Sequence, residues 1–193
     1  GRDSEEFYAN AAIGEFWTGP RPSLAHVAAD LGLDARPLGE LEAAGERVVV
    51  LRGVDPVADA LAEADPVDDE LRRAVSELRL VKDAYEIAEL RAAIAATRLG
   101  FDDIVADLPD IVAHPRGERL VEGAFNRRAR AEGNAVGYDT IAASGPHACI
   151  LHWNRNDGPV APGDLLLVDA GVELDSLYTA DITRTLPVNG RFT

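Results

Sequence analysis

The sequence is poor in the features that mark exported and membrane-bound proteins. Its single cysteine, Cys149, cannot form a disulfide within the chain, which favours a reducing, cytoplasmic compartment. No apolar run approaches the roughly 20 residues that a membrane-spanning helix needs. The first residues, GRDSEEFYAN, have neither the basic nor the apolar region of a signal peptide. We therefore expect a cytoplasmic protein that does not contact a membrane.

Positive charge is also scarce. The chain has 19 lysines and arginines against 34 acidic residues, for a formal net charge of −15. Such a chain repels phosphate groups, which argues against nucleic acid as a partner. Excess surface acid also promotes solubility, so the charge alone indicates no particular ligand. Hydrophobic residues make up 47% of the sequence, which is enough for a packed core.

Up to about residue 66, helical and strand-like patterns alternate. In PSLAHVAADLG, Ser23 is a helix cap and Gly32 a helix stop. Residues 46–52, ERVVVLR, predict a buried strand, and residues 11–19, AAIGEFWTG, suggest another. This part of the chain is therefore predicted to be an α/β segment.

From about residue 82 the pattern changes. A long helix is predicted over about 83–107, and a second over about 117–132 that ends at Gly133. The apolar residues of the first helix are spaced to share one face: Ile87, Leu90, Ile94, Phe101, Ile104 and Leu108. Four short strand-like runs follow: YDTIAAS, ACILHW, DLLLVDAG and LYTADITRTLPV. The prediction is two helices followed by an antiparallel sheet.

Two carboxylates interrupt the last two of these strands. Asp169 ends the apolar run 165–168, and Asp181 lies in the following strand. A turn centred on Asp175 would place the two side chains directly opposite each other, with Cβ atoms about 4.5–5.5 Å apart. Carboxylates that close repel each other, so a hard divalent cation such as manganese, magnesium or calcium is a natural partner.

A structural explanation of the two aspartates stays open at this point. One could be exposed at a strand end while the other caps a turn, and a bulge would shift the pairing by a residue. Arg184 is a poor partner for Asp181, because the two positions point to opposite faces of a strand.

The remaining candidates are four histidines and the cysteine. His26 and His114 have no chemical neighbours in the sequence, and His147 lies in a Gly-Pro loop, so all three are expected at the surface. Cys149, beside Ile150 and Leu151, is expected to be a small buried hydrophobe. Without the context of a motif, His152 is predicted to be a packed histidine on a strand.

The order of three motifs resembles a known family. ASGPHACILHW, then LLLVDAG, then YTADITRTLPVNGRFT is similar to aminopeptidase P and its prolidase relatives, the pita-bread metallopeptidases. Upstream, RLVKDAYEIAELRAA resembles the helix that opens the catalytic domain, and EFWTGPRPS resembles part of the N-terminal domain. The resemblance implies that residues 1–77 are a partial, α/β N-terminal creatinase-like domain. Residues 78–193 would be the first, α+β half of the pita-bread catalytic domain.

The resemblance also assigns roles to particular residues. Asp169 and Asp181 match the first two ligands of a site for two divalent ions, usually manganese, with Asp181 bridging both. His152 matches a histidine that contacts the substrate near the scissile bond. Tyr138 is a candidate for the substrate pocket, although it also fits a partly buried strand tyrosine. The implied reaction is that of an Xaa-Pro aminopeptidase, namely hydrolysis of the bond between an N-terminal residue and a following proline.

Two alternatives to this activity stay open. One is a prolidase that cleaves Xaa-Pro dipeptides, and the other is a non-catalytic homologue that binds peptides or proteins. Such non-catalytic relatives tend to lose metal ligands, whereas both Asp169 and Asp181 are present. The same observation disfavours a metal-free, creatinase-like hydrolase.

The family's site needs ligands that this sequence does not contain. One histidine and two glutamates are expected downstream of Asp181, and none follows it before Thr193. Two carboxylates are too few for two ions that each take about five or six ligands. We therefore expect a fragment that binds manganese weakly and hydrolyses nothing alone. Apolar sheet residues left uncovered, such as Leu165, Leu167 and Ile182, predict a homo-oligomer or a complementary fragment as partner.

Overall fold

The computed structural model describes residues 5–37, Glu40 and 48–191. The chain splits into two compact units, Gly1–Arg79 and Leu80–Thr193. No helix in the described ranges combines the length and the apolar character needed to cross a bilayer.

The first unit is built from short helices. They are α1 (Glu5–Ala9), α2 (Glu15–Thr18), α3 (Leu24–Leu31), α4 (Pro56–Asp59) and α5 (Val67–Leu78). Side-chain caps begin two of them: Ser23 accepts from the His26 amide at the start of α3, and Asp55 accepts from two amides at the start of α4. These caps satisfy amides that have no partner inside the helix.

The two strands predicted in this unit are not formed in its described residues. The run AAIGEFWTG contains α2 instead. Residues 48–52 have no strand partner, and residues 46–47 lie outside the described ranges. The Val50 amide, which would bond to a neighbouring strand in a sheet, donates instead to the Asp68 carboxylate at 3.0 Å. Arg52 forms an ion pair with the same carboxylate. These hydrogen bonds lower the pKa of Asp68, and the bond from the Val50 amide has the largest effect.

The second unit opens with two long helices, α6 (Ala84–Ala113) and α7 (Gly117–Glu132). Asp83 and Glu86 form a capping box at the start of α6, which then continues past the predicted end and through Pro109. Arg128 of α7 donates to both carboxylate oxygens of Asp103 on α6, at 2.8 Å each. This contact lowers the pKa of Asp103 and ties the helices together.

The buried face of α6 differs from the predicted one. Phe101 and Ile104 are buried, but Ile87 and Ile94 are 42% and 49% exposed. The buried stripe runs instead through small residues: Ala93, Ala96, Thr97 and Gly100. These small side chains let α6 lie close to its neighbours, so the bulky residues beside the stripe stay at the surface.

An antiparallel sheet follows the helices, which confirms the predicted order. β2 (Ile141–Ser144), β3 (Leu165–Ala170) and β5 (Ile182–Pro187) form a sheet in the order β2-β3-β5, while β1 (Ala135–Val136) pairs with β4 (Val172–Glu173). Leu166, Val168 and Ala170 of β3 are fully buried in the core that the helices share. The alternate residues of β3 face the other way, and Asp169 is one of them.

The predicted register between β3 and β5 is wrong. Asp169 pairs with Thr183, not with Asp181. The turn is centred on Ser176 rather than Asp175, because the Leu174 amide donates to the Tyr178 carbonyl at 3.0 Å. Asp181 is therefore the diagonal neighbour of Asp169 on the same face, a relation that separates residues by about 7–8 Å.

The predicted strand ACILHW is also absent. Gly145–Cys149 forms a 3₁₀ helix, and the chain runs without regular structure from there to β3. Because these residues do not alternate across a sheet, Cys149 is exposed rather than buried.

Two helical glycines provide a test of the packing between α6 and α7. A Cβ atom at Gly100 would lie 2.6 Å from two ring carbons of buried Phe125, whereas one at Gly123 meets nothing within 4 Å. We expect Gly100→Ala to lower the free energy of unfolding by about 1–3 kcal/mol. Gly123→Ala, the matched control, should raise it by up to about 1 kcal/mol. Urea unfolding measures both, and equal effects would contradict this packing.

Candidate active site

Four residues singled out from the sequence line one open cavity of about 360 Å³. They are Tyr138, His152, Asp169 and Asp181. Asp139, Ile141 and Asn154 complete the lining and were not among the residues predicted for the site. The sequence could have indicated Asp139 and Asn154 only by their position, since each lies within two residues of a predicted site residue.

The sheet brings the two aspartates together. Asp169 lies on the central strand β3, between Ile141 of β2 and Thr183 of β5. Asp181 immediately precedes β5 and is exposed, whereas Asp169 is half-buried. Thr183 donates its hydroxyl to Asp169 Oδ2 at 2.8 Å, which fixes the carboxylate plane from one side.

The Tyr138 hydroxyl lies between the carboxylates. Its oxygen is 2.6 Å from Asp169 Oδ1 and 3.1 Å from Asp181 Oδ1. Burial of the phenol, together with the bond to Asp169, raises the pKa of Tyr138 well above its ordinary value, so the hydroxyl is protonated at neutral pH. It has one proton to donate and no charge. The two carboxylates therefore converge on a group that can donate one hydrogen bond but carries no positive charge.

This arrangement fits a cation by its chemistry but not by its number of ligands. Carboxylate oxygens suit hard divalent ions. In the ranges 5–37, 40 and 48–191, however, no group of three or more His, Cys, Asp or Glu side chains is placed to hold a metal ion. Asp169 and Asp181 supply part of a ligand set.

The two histidines of the loop after β2 differ in their surroundings. His152 is exposed and faces the cavity. His147, predicted to be solvated, is instead held in the fold: its Nδ1 is 2.8 Å from Glu118, and its ring stacks on Trp153 with 3.9 Å between centroids.

Comparison with known proteins places this geometry in a family. The sequence profile of metallopeptidase family M24 matches residues 88–193, more than half of the chain. The chain belongs to metallopeptidase family M24. The M24 match covers all of the cavity's lining residues.

Individual M24 relatives have a common name. The whole chain is 54% identical to Xaa-Pro aminopeptidase 2 of Streptomyces coelicolor and covers 42% of that protein. Over 63% of its length it is 38% identical to the Xaa-Pro aminopeptidase of Escherichia coli, of which it covers 27%. The chain thus spans less than half the length of these curated relatives.

Solved structures agree with the fold. Zinc-substituted E. coli aminopeptidase P in complex with product matches 93% of the chain with a TM-score of 0.70 at 28% identity, and the match covers 45% of that protein. The same enzyme with the inhibitor Pro-Leu gives a TM-score of 0.69 with the same coverage. The predicted partial pita-bread fold, with helices followed by antiparallel strands, is confirmed.

The hydroxyl between the carboxylates can be removed by Tyr138→Phe. Because Asp169 then loses a donor while the negative charges stay, we expect the free energy of unfolding at neutral pH to fall by about 1–2 kcal/mol. Tyr85→Phe is the control, since that side chain is 59% exposed and lies outside the cavity. Chemical denaturation of both variants without added metal would contradict the account if their stabilities were equal.

Proposed function

We propose that the cavity is part of the active site of an Xaa-Pro aminopeptidase, which hydrolyses the bond between an N-terminal residue and a following proline. One observation carries the proposal: Asp169 and Asp181 share the Tyr138 hydroxyl in a cavity that His152 also lines, within an M24 chain. The names of the relatives support the choice of substrate.

Asp169 and Asp181 would hold divalent ions in this proposal. Carboxylate oxygens suit manganese, magnesium and calcium alike, and the choice of manganese rests on the resemblance to aminopeptidase P. When bound, such ions activate water and polarise the substrate's carbonyl group. Tyr138 and Thr183 would keep the Asp169 oxygens oriented, since both donate to that carboxylate. His152, exposed in the same cavity, would contact the substrate beside the scissile bond.

The proposal includes a limit on what these 193 residues do alone. The described residues offer two carboxylates, and a pair of ions needs more ligands. We infer weak metal binding and no hydrolysis without a second polypeptide, either a complementary fragment or another copy of the chain. Leu165, 46% exposed on the cavity's face of the sheet, supports an uncovered surface there. The cytoplasmic location stays a prediction from cysteine content.

Removal of one carboxylate tests the metal site. Asp181→Asn relieves the repulsion with Asp169, so without metal the variant should be as stable as the parent or more stable. Millimolar Mn²⁺ should raise the melting temperature of the parent chain but not that of Asp181→Asn. Asp175→Asn, an equal charge change in the exposed turn, should behave like the parent. Full retention of the Mn²⁺ effect in Asp181→Asn would exclude this site.

Complementation tests the activity. The 193-residue chain alone should not cleave an Xaa-Pro-Yaa tripeptide. Co-expression with the part of S. coelicolor Xaa-Pro aminopeptidase 2 that the chain does not cover should restore manganese-dependent cleavage, and Asp181→Asn should reduce it at least 100-fold.

Three results would change the proposal. Cleavage by the chain alone would refute the inferred limit. A folded complex that binds metal but cleaves nothing would favour the non-catalytic homologue. Cleavage of Xaa-Pro dipeptides in place of longer peptides would indicate a prolidase.

A further inference from the structure

Glu118 is a fully buried carboxylate in the first turn of α7. It lies on the same helix face as Val121, Phe125 and Ala129, which are also fully buried. Four nitrogen donors surround its carboxylate, and within the described part of the chain none of its hydrogen-bond donors is a lysine or an arginine. A buried charge is tolerated when hydrogen bonds satisfy its oxygens in this way.

All four donors come from one stretch of chain, Ser144–Gly158. Oε1 accepts from the Ser144 amide at 2.9 Å and from His147 Nδ1 at 2.8 Å. Oε2 accepts from the Trp153 indole at 3.0 Å and from the Gly158 amide at 2.7 Å. One side chain therefore contacts the start, the middle and the end of the loop that carries His152.

A second buried side chain holds the same loop on its far side. Asn156 has a positive φ of 47° and is fully buried. Its Oδ1 accepts from the Ala142 amide at 2.9 Å, and its Nδ2 donates to the Thr140 carbonyl at 2.8 Å. The Asn156 side chain thus makes the hydrogen bonds that a neighbouring strand would make with the edge of β2. In the chain, His152 lies between the residues that Glu118 binds at the start of the loop and Asn156.

We propose that Glu118 is a positioning residue for the candidate active site. Through its four hydrogen bonds it fixes the segment Ser144–Gly158 so that His152 faces Asp169 and Asp181. The functional importance of this placement rests on the proposed peptidase role of His152. Both carboxylate oxygens are required, since a glutamine would turn an NH₂ group toward two of the donors and leave them unsatisfied.

The first test is Glu118→Gln in the 193-residue chain. Glu122→Gln on the same helix is the matched control, because it makes the same change of charge and amide at a less buried position. With four histidines in the chain, the imidazole signals can be assigned by NMR. At a temperature where the variant is folded, we expect the His152 signals to move toward values of an unfolded histidine, while those of His26 and His114 stay in place.

Trypsin supplies a second readout. Arg155 is the only lysine or arginine between Arg130 and Arg184, so cleavage within the loop gives one defined cut. Glu118→Gln should speed cleavage after Arg155 at least tenfold and leave cleavage after Arg98 unchanged. Glu122→Gln should match the parent at both sites.

The proposal is overturned if Glu118→Gln leaves the His152 signals and the Arg155 cleavage rate unchanged. If Glu118→Gln unfolds the whole chain, His147→Phe decides: it removes one donor and keeps an aromatic ring against Trp153. A local, several-fold rise in cleavage after Arg155 then supports the proposal, and no change overturns it. Neither readout needs metal or turnover, so their outcome is independent of the peptidase proposal.

Discussion

The site depends on the sheet, which holds two carboxylates close together on one face. Asp169 is half-buried on the central strand, and Asp181 lies diagonally across from it with a neutral tyrosine hydroxyl between them. A bound divalent cation would attract both carboxylates, which is why we propose that the two aspartates belong to a metal site.

The helices keep this pair in place through acidic side chains of their own. On α6, Glu86 accepts from the Tyr178 hydroxyl at 3.0 Å and Glu89 accepts from Ser176, so the helix holds the turn before Asp181. On α7, Glu118 holds the loop that carries His152. Burial of the hydroxyl raises the pKa of Tyr178, again with Glu86 contributing. Two parts of the cavity are thus positioned from the helical layer and not by the sheet alone.

Part of the fold and of the candidate site could be predicted from the sequence, for reasons that differ from residue to residue. The end of α7 at Gly133 followed from periodicity and a stop signal, and the four cavity residues followed from motif order. The register of the β3–β5 hairpin could not be predicted, because its turn places Leu177 at a φ of 67°. A glycine or asparagine at that position would have indicated where the turn lies. In ACILHW, strand propensity was outweighed by the 3₁₀ helix that begins at Gly145.

Glu118 did leave a signal: its spacing from Val121 and Phe125 places it on a buried face.

We propose that Asp169 and Asp181 form a specific cation site and not one acidic patch among many on a chain of net charge −15. Paramagnetic broadening by substoichiometric Mn²⁺ in NMR spectra tests it most directly. We expect the signals of Asp169, Asp181 and the His152 imidazole to be lost first, while those of His26 and His114 persist. Broadening spread over the acidic surface, or centred away from the two aspartates, would contradict it.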